Sequence, residues 1–271
     1  MSSSVDLPPT PGEDETLDIV LRGRVHLIQS KKGFRSSVDA MILAYFAQRQ
    51  GTAPRRCIDL GAGTGLVGIL LAMRFQQLRL DLIELQSTLV QRTTQNLHLN
   101  ELQQRAEVHH LDIGRPLPGG IERADLIVSN PPFFDPEKGL LPAHPERHQS
   151  HFETTATVER FAQVAAQLLQ PDGRLAMIYP ATQRDRLVNA LTDAGLRHIG
   201  LSVVHHRDPS RAPVRILAEA GHGEHATVHE LDAVHLHQEG LPDHTYAPPI
   251  ERFIENLGPN KSPTRSEPPR T

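Results

Sequence analysis

At 271 residues, the chain is long enough to bury the core of one domain of two or three layers; with 28 Lys and Arg against 32 Asp and Glu, it carries no global basic signature. Any contact with a polyanion must therefore be local, and the absence of an apolar run near the ~18 residues of a membrane span, with a polar, Pro-containing start at Met1, predicts a soluble cytoplasmic protein with no membrane partner. Cys57 is the only cysteine, which excludes an internal disulfide, and its place in an apolar run argues against an exposed thiolate.

Residues 1–16 are rich in Ser, Pro and acidic side chains and read as a disordered tail. Ile19 to Gln29 reads as a strand pair, and Ser37 can cap a helix from Val38 to about Gln48, whose face carries Met41, Ile42, Tyr45 and Phe46 at helical spacing. From there, β-branched runs alternate with helical patterns. Strands are expected at 55–60, 79–84, 106–111, 124–129 and 174–179, with helices near 66–74, 86–99, 154–169 and 182–194. Ile199 to His206 and Val214 to Ala220 form two more strands, and the seven-residue link 207–213 has no room for a crossover helix, which forces an antiparallel pair. The expected fold is α/β: a doubly wound, mainly parallel, seven-stranded sheet with a C-terminal antiparallel hairpin, spanning residues 17–257 ahead of a disordered tail at 258–271.

The strand ending at Leu60 runs into Gly61-Ala62-Gly63-Thr64-Gly65, where glycines allow a sharp turn and a close backbone approach to a ligand. With Asp59 in front of it, this run resembles the loop that holds S-adenosylmethionine (SAM) in doubly wound methyltransferases. Asp59 is expected near the cofactor's amino-acid end, acting through the loop or a water. Glu84 ends the next strand, twenty-five residues after Asp59, where a carboxylate can accept from both ribose hydroxyls. Asp112, ending the third strand, is expected to accept from the adenine amino group. Ligands of open α/β sheets bind beyond the carboxyl ends of the strands, so these residues share one rim.

The strand Ala124 to Ser129 delivers Asn130-Pro131-Pro132-Phe133 to that rim. The lone pair of an exocyclic amine such as adenine N6 is delocalised into the ring, and the nitrogen is a poor nucleophile. The Asn130 side-chain oxygen and the Pro131 carbonyl can accept its two protons, Pro131 and Pro132 hold those acceptors rigidly, and Phe133 can stack on a flipped base. Transfer to a planar nitrogen needs neither a metal nor a covalent intermediate, and the same loop suits a carboxamide nitrogen.

On these two loops the chain resembles the valine-tRNA adenine-N6 methyltransferases of bacteria, within the group carrying a small methyltransferase domain. The resemblance covers roughly residues 17 to 257. It includes Gly33-Phe34-Arg35-Ser36-Ser37-Val38-Asp39, which that family places before its cofactor strand to close over SAM, and the hairpin ending in Pro213-Val214-Arg215-Ile216-Leu217-Ala218-Glu219. It implies Ser37 and Asp39 as cofactor neighbours, SAM as cofactor, and tRNA as partner, methylated at the adenosine 3′ of the anticodon. Many relatives carry Tyr where this chain has Phe133, which leaves RNA and protein substrates both open.

Arg147, His148 and His151 stand in a long loop from Asp135 to Glu153 that could grip RNA phosphate or close over the site. Arg207, Arg211 and Arg215, extended by His205 and His206, form the best local basic patch and are expected to contact RNA. Five histidines between His222 and His237 invite a zinc reading, but they lack a cysteine partner or an i, i+4 helical pair, and no metal is expected. Two rivals stand beside tRNA methylation. One is N5-methylation of a glutamine in a translation release factor, disfavoured because residues 1–54 are too short and strand-like for the helical domain of that family. The other is a silent SAM- and RNA-binding module, disfavoured by intact Asn130 and Phe133.

Overall fold

Between Arg56 and Pro180 five strands run parallel, each returned by a crossover, and the alternation of their side chains decides which helices cover which face. A computed structural model describes residues 8–33, 35–49, 53–133, 157–208, 210–238, 242 and 245–258. Within them lie β1 (Glu15–Val20), β2 (Val25–Ser30), α1 (Val38–Gln48), β3 (Arg56–Leu60), α2 (Leu66–Arg74), β4 (Arg79–Glu84), α3 (Ser87–Leu99), β5 (Ala106–His110), β6 (Ala124–Ser129), α4 (Val158–Leu168), β7 (Leu169–Pro180), α5 (Arg184–Asp193), β8 (Leu196–His205), β9 (Arg215–His222), β10 (Thr227–Glu230), β11 (Val234–His235) and α6 (Pro248–Glu255).

Cys57, Leu126, Val128, Ala176 and Ile178 point to one face, where they pack with α1, α2 and α6. Their neighbours in sequence, Ile58, Ile127, Leu175 and Met177, point to the other, against α4 and α5. Both faces are covered, so the central strands read as nearly continuous apolar runs. Cys57 is fully buried, and desolvation pushes its thiol well above the ordinary range, as expected of an inert core cysteine.

The sheet runs in the order β10-β8-β9-β7-β6-β3-β4-β5. From β5 to β7 every pair is parallel, while β9 is antiparallel to both β7 and β8. The expected α/β class and terminal hairpin are therefore present. Among the described residues the sheet has nine strands rather than seven, because β10 and β11 from the His-rich segment add on parallel to β8 at one edge. Helix α6 is a second departure: Pro248 and Pro249 fill its first turn, where proline costs no hydrogen bond, and Ile250, Phe253 and Ile254 bury against the α1 face. The strand pair begins at Glu15, so Glu15 and Thr16 belong to β1 rather than to a tail. Among the described residues no helix is long and apolar enough to cross a membrane.

The chain leaves β3, builds outward through β4 and β5, and returns to place β6 on the other side of β3. That reversal opens a crevice between the ends of β3 and β6, the place where α/β sheets bind ligands. The glycine loop and the Asn-Pro-Pro-Phe loop are thus brought together by topology.

Candidate active site

A cavity of about 390 Å³ opens at that crevice. Its wall includes Ser37, Asp39, Gly61, Gly63, Glu84, Asp112 and Asn130 to Phe133, all expected at the site, together with Arg35, Leu85, Gln86, Leu111, Ile113, Phe161 and Arg215. The seam is tight where the two loops leave the sheet, since Ser129 Oγ donates to the Leu60 carbonyl at 2.8 Å.

The glycine loop takes its shape from buried carboxylates. Gly61, Gly63 and Gly65 all have positive φ. A Cβ on Gly61 would meet the Phe161 ring at 3.1 Å, and one on Gly65 would meet the Thr93 methyl at 2.9 Å, so both positions combine a left-handed backbone with a close neighbour. Glu84 is buried and spends both oxygens on backbone: Oε2 accepts from Gly63 N at 2.9 Å and Oε1 from Gln86 N at 2.8 Å. Desolvation raises its pKa, and those amide donors oppose the rise. A carboxylate offers about four acceptor sites, so Glu84 can hold the loop and still accept from a ligand at the cavity wall.

Asp59 and Gly65 do not reach the cavity wall. The Asp59 carboxylate lies beneath the loop and accepts from Gly68 N at 3.0 Å in the first turn of α2, which makes it a helix-start acceptor. Desolvation, opposed by that amide and reinforced by the charge of Glu84, pushes its pKa up to about 7. Gly65 is the N-cap of α2. Asp112 does line the cavity, with Oδ1 accepting from Gly114 N at 2.8 Å and Oδ2 paired to Arg115 at 3.3 Å.

The other side of the site is held by side chains paired with each other. Ser37 caps α1, its Oγ accepting from Asp39 N at 3.2 Å. Asp39 then accepts from Arg215 Nε of β9 at 2.9 Å. The Arg215 guanidinium lies over the Phe133 ring, 4.9 Å from its centroid, and Tyr179 of β7 meets the same ring edge-on at 5.6 Å. Phe133 is therefore posed by partners from two strands.

The β1–β2 hairpin is fastened by residues that sequence reasoning passed over. Asn96 on α3 accepts from Ile28 N at 2.6 Å and donates to the Ile28 and Thr64 carbonyls; one turn later Asn100 does the same to His26, at 3.1 Å from its N and 2.7 Å from its O. The two amides stand in for a neighbouring strand along β2 and tie it to the glycine loop. Thr93 Oγ1 donates to Gly63 O at 2.7 Å, and Ser36 and Thr64 hydroxyls bond each other, so the segment before α1 is laid over the loop. The only trace of this in the sequence is an asparagine inside α3, Asn96, four residues before the C-cap Asn100, at a position where asparagine is a poor helix former.

Arg207 and Arg211 lie off this cavity, in a neighbouring groove with His205 and His206. Arg147, His148 and His151 lie outside the described residues. Histidines of the His-rich segment meet rings beside them: His235 stacks on His205 at 5.4 Å, and His237 stacks on Tyr246 at 5.4 Å and lies tilted against His206 at 4.9 Å. None of them belongs to a metal-ligating group among the described residues; the one such trio there is Asp81, Glu107 and His109, where Asp81 is also paired to Arg56 at 2.5 Å.

Residues 37–193 match the model of the methyltransferase small domain. A tRNA1(Val) (adenine(37)-N6)-methyltransferase of Porphyromonas gingivalis is 34% identical over 209 residues, 74% of this chain and 80% of that protein. The protein of the same name in Escherichia fergusonii is 28% identical over 183 residues, 66% of this chain and 71% of that one. Among solved structures, a predicted O-methyltransferase of Agrobacterium tumefaciens superposes with a TM-score of 0.64 at 21% identity, covering 82% of this chain and 97% of that one. A precorrin-6y C5,15-methyltransferase of Geobacter metallireducens does so with 0.51 at 12% identity, covering 73% and 94%. These two likenesses establish the class I methyltransferase fold. The chain is an enzyme of the methyltransferase small-domain group and belongs to the family of the tRNA1(Val) (adenine(37)-N6)-methyltransferases.

Proposed function

We propose that the protein transfers a methyl group from SAM to N6 of an adenine in tRNA, the adenosine 3′ of the anticodon in valine tRNA being the expected target. The observation that carries this reading is the single cavity that joins the glycine loop and Glu84 on one side to Asn130 and Phe133 on the other. The wall fits SAM on its own terms. Gly61 and Gly63 line the cavity with left-handed backbone and no side chain, and Gln86 Oε1 is buried without a hydrogen-bond partner among the described residues, an acceptor awaiting a donor. Glu84 and Gln86 would hold the ribose, Asp112 between apolar Leu111 and Ile113 would hold the adenine ring and its amine, and Ser37 and Asp39 would flank the methionine end.

When bound, SAM supplies an electrophilic methyl on its sulfonium. The chain's part is to present the amine. Asn130 Oδ1 and the Pro131 carbonyl accept the amine protons, favouring a tetrahedral nitrogen, and Phe133 takes the face of the flipped base. Arg207 and Arg211 supply phosphate contacts next to the site. The relatives of known name act on tRNA, which favours RNA over a release-factor glutamine. The test is to incubate the enzyme with methyl-labelled SAM and tRNA from cells lacking it, then digest to nucleosides. Label is expected in N6-methyladenosine alone; label in a protein glutamine, or in no RNA, would overturn the reading.

A further inference from the structure

A second cavity, of about 530 Å³, adjoins the first and shares two wall residues with it, Asp39 and Arg215. Its wall includes the apolar residues Ile42, Val204 and Leu236, together with Arg207, Arg211, His205 and His206. Apolar side chains beside cationic ones match the two halves of a nucleotide, a sugar and base on one side and a phosphate on the other. Asp39 and Arg215 stand between the two cavities, and the described hydrogen bonds of Arg215 use its Nε on Asp39 and one Nη on the Val214 carbonyl out of five N–H donors. Arg211 lines the same second cavity with an 86% exposed side chain, paired to Asp208 at 3.5 Å.

We propose that this second cavity receives the nucleotide adjoining the target adenine, with the phosphodiester between the two held by Arg215 at the boundary and Arg211 at the rim. The inference rests on the RNA reading above and deepens it. When the adenine enters, its base takes a face of Phe133, and the guanidinium of Arg215, which lies over that ring, is already beside the linking phosphate. A strand threaded this way is fixed on both sides of the Asn130 loop, which is what accurate presentation of one amine requires.

The test uses the full chain, S-adenosylhomocysteine, and a tRNA in which the phosphates flanking the target are replaced one at a time by neutral methylphosphonates. Binding is followed by fluorescence anisotropy. One flanking replacement is expected to weaken the wild type about three- to tenfold. Arg211→Ala and Arg215→Ala are each expected to weaken unmodified tRNA by a similar factor and to lose the penalty of that one replacement, while penalties elsewhere persist. Each variant should also lower the salt slope by about 0.7 to 0.9. Penalties that simply add in both variants, or no penalty at either flanking phosphate, would overturn the site while leaving tRNA methylation intact. If the wild type methylates no RNA, the site and the functional reading fall together.

Discussion

The two walls of the candidate catalytic cavity are built by opposite means. On and beneath the wall proposed for the cofactor, carboxylates are spent on backbone: Asp59, under the loop, holds Gly68, Glu84 holds Gly63 and Gln86, and the loop takes its shape from the chain itself. On the substrate wall, side chains hold one another through surfaces that a ligand can replace: Asp39 on Arg215, Arg215 on Phe133, Phe133 on Tyr179. A small cofactor of fixed shape rewards preorganisation. A nucleotide that must leave a folded RNA needs a wall whose contacts exchange at little cost. Changes on the first wall should therefore alter stability and cofactor affinity, and changes on the second should alter turnover and RNA capture.

The largest expected effect lies beneath the cofactor loop, in the pH dependence of folding. Asp59 has a pKa of about 7 in the folded chain against 3.8 in a free side chain, so between those values the folded state binds more protons than the unfolded one and stability falls as pH rises. The fall is on the order of 4 kcal/mol, complete above about pH 7, and Glu84, also raised, adds in the same sense. Asp59→Asn keeps an acceptor for Gly68 and removes the titration. Its stability should vary much less across this range in denaturant titrations, and a pH profile parallel to wild type would break the assignment.

Next, on the substrate wall, Asn130→Ala should lower kcat by roughly a hundredfold or more while SAM and RNA affinities change little, because its hydrogen bond strengthens only as the nitrogen becomes tetrahedral. Single-turnover rates at saturation check this; a loss confined to KM would put Asn130 in binding. Glu84→Ala should then weaken SAM by about 1.5 to 3 kcal/mol in calorimetry, with kcat largely retained at saturating SAM. Unchanged affinity would mean that Glu84 serves only the loop. The smallest effect is at Phe133. Replacing the ring by Ala removes a stacking platform worth about 1 to 3 kcal/mol and should show as poorer RNA capture, whereas Phe133→Tyr should keep most activity.

The cofactor wall was the more legible of the two in the sequence, and the reason is local. Gly61 to Gly65, Glu84 and Asp112 each follow directly from the end of a strand, so a strand pattern and a residue type suffice to place them. The same logic placed Asn130 to Phe133 after β6. Asp59 is expected to act through the loop or a water, and its carboxylate lies beneath the loop on Gly68 N, a bond that the strand pattern does not announce. The substrate wall depends on pairs such as Arg215 with Asp39, 176 positions apart. The Asn96 and Asn100 grip on β2 is of the same kind, since no local period announces it. The two strands of the His-rich segment fall outside the seven expected for a related reason: β10 and β11 form because β8 offers an edge, not because Thr227 to Glu230, exposed throughout, carries an amphipathic pattern.

The central claim is that the cavity presents one exocyclic amine to the methyl of SAM, and removing that amine tests it most directly. A tRNA in which the target adenosine is replaced by purine riboside keeps the ring that Phe133 would stack on and lacks only the N6 amino group. Under single turnover with methyl-labelled SAM, the account predicts full transfer to the adenosine tRNA, none to the purine tRNA, and RNA affinities within a few fold of each other. Label appearing on the purine-containing tRNA at the wild-type rate would contradict it.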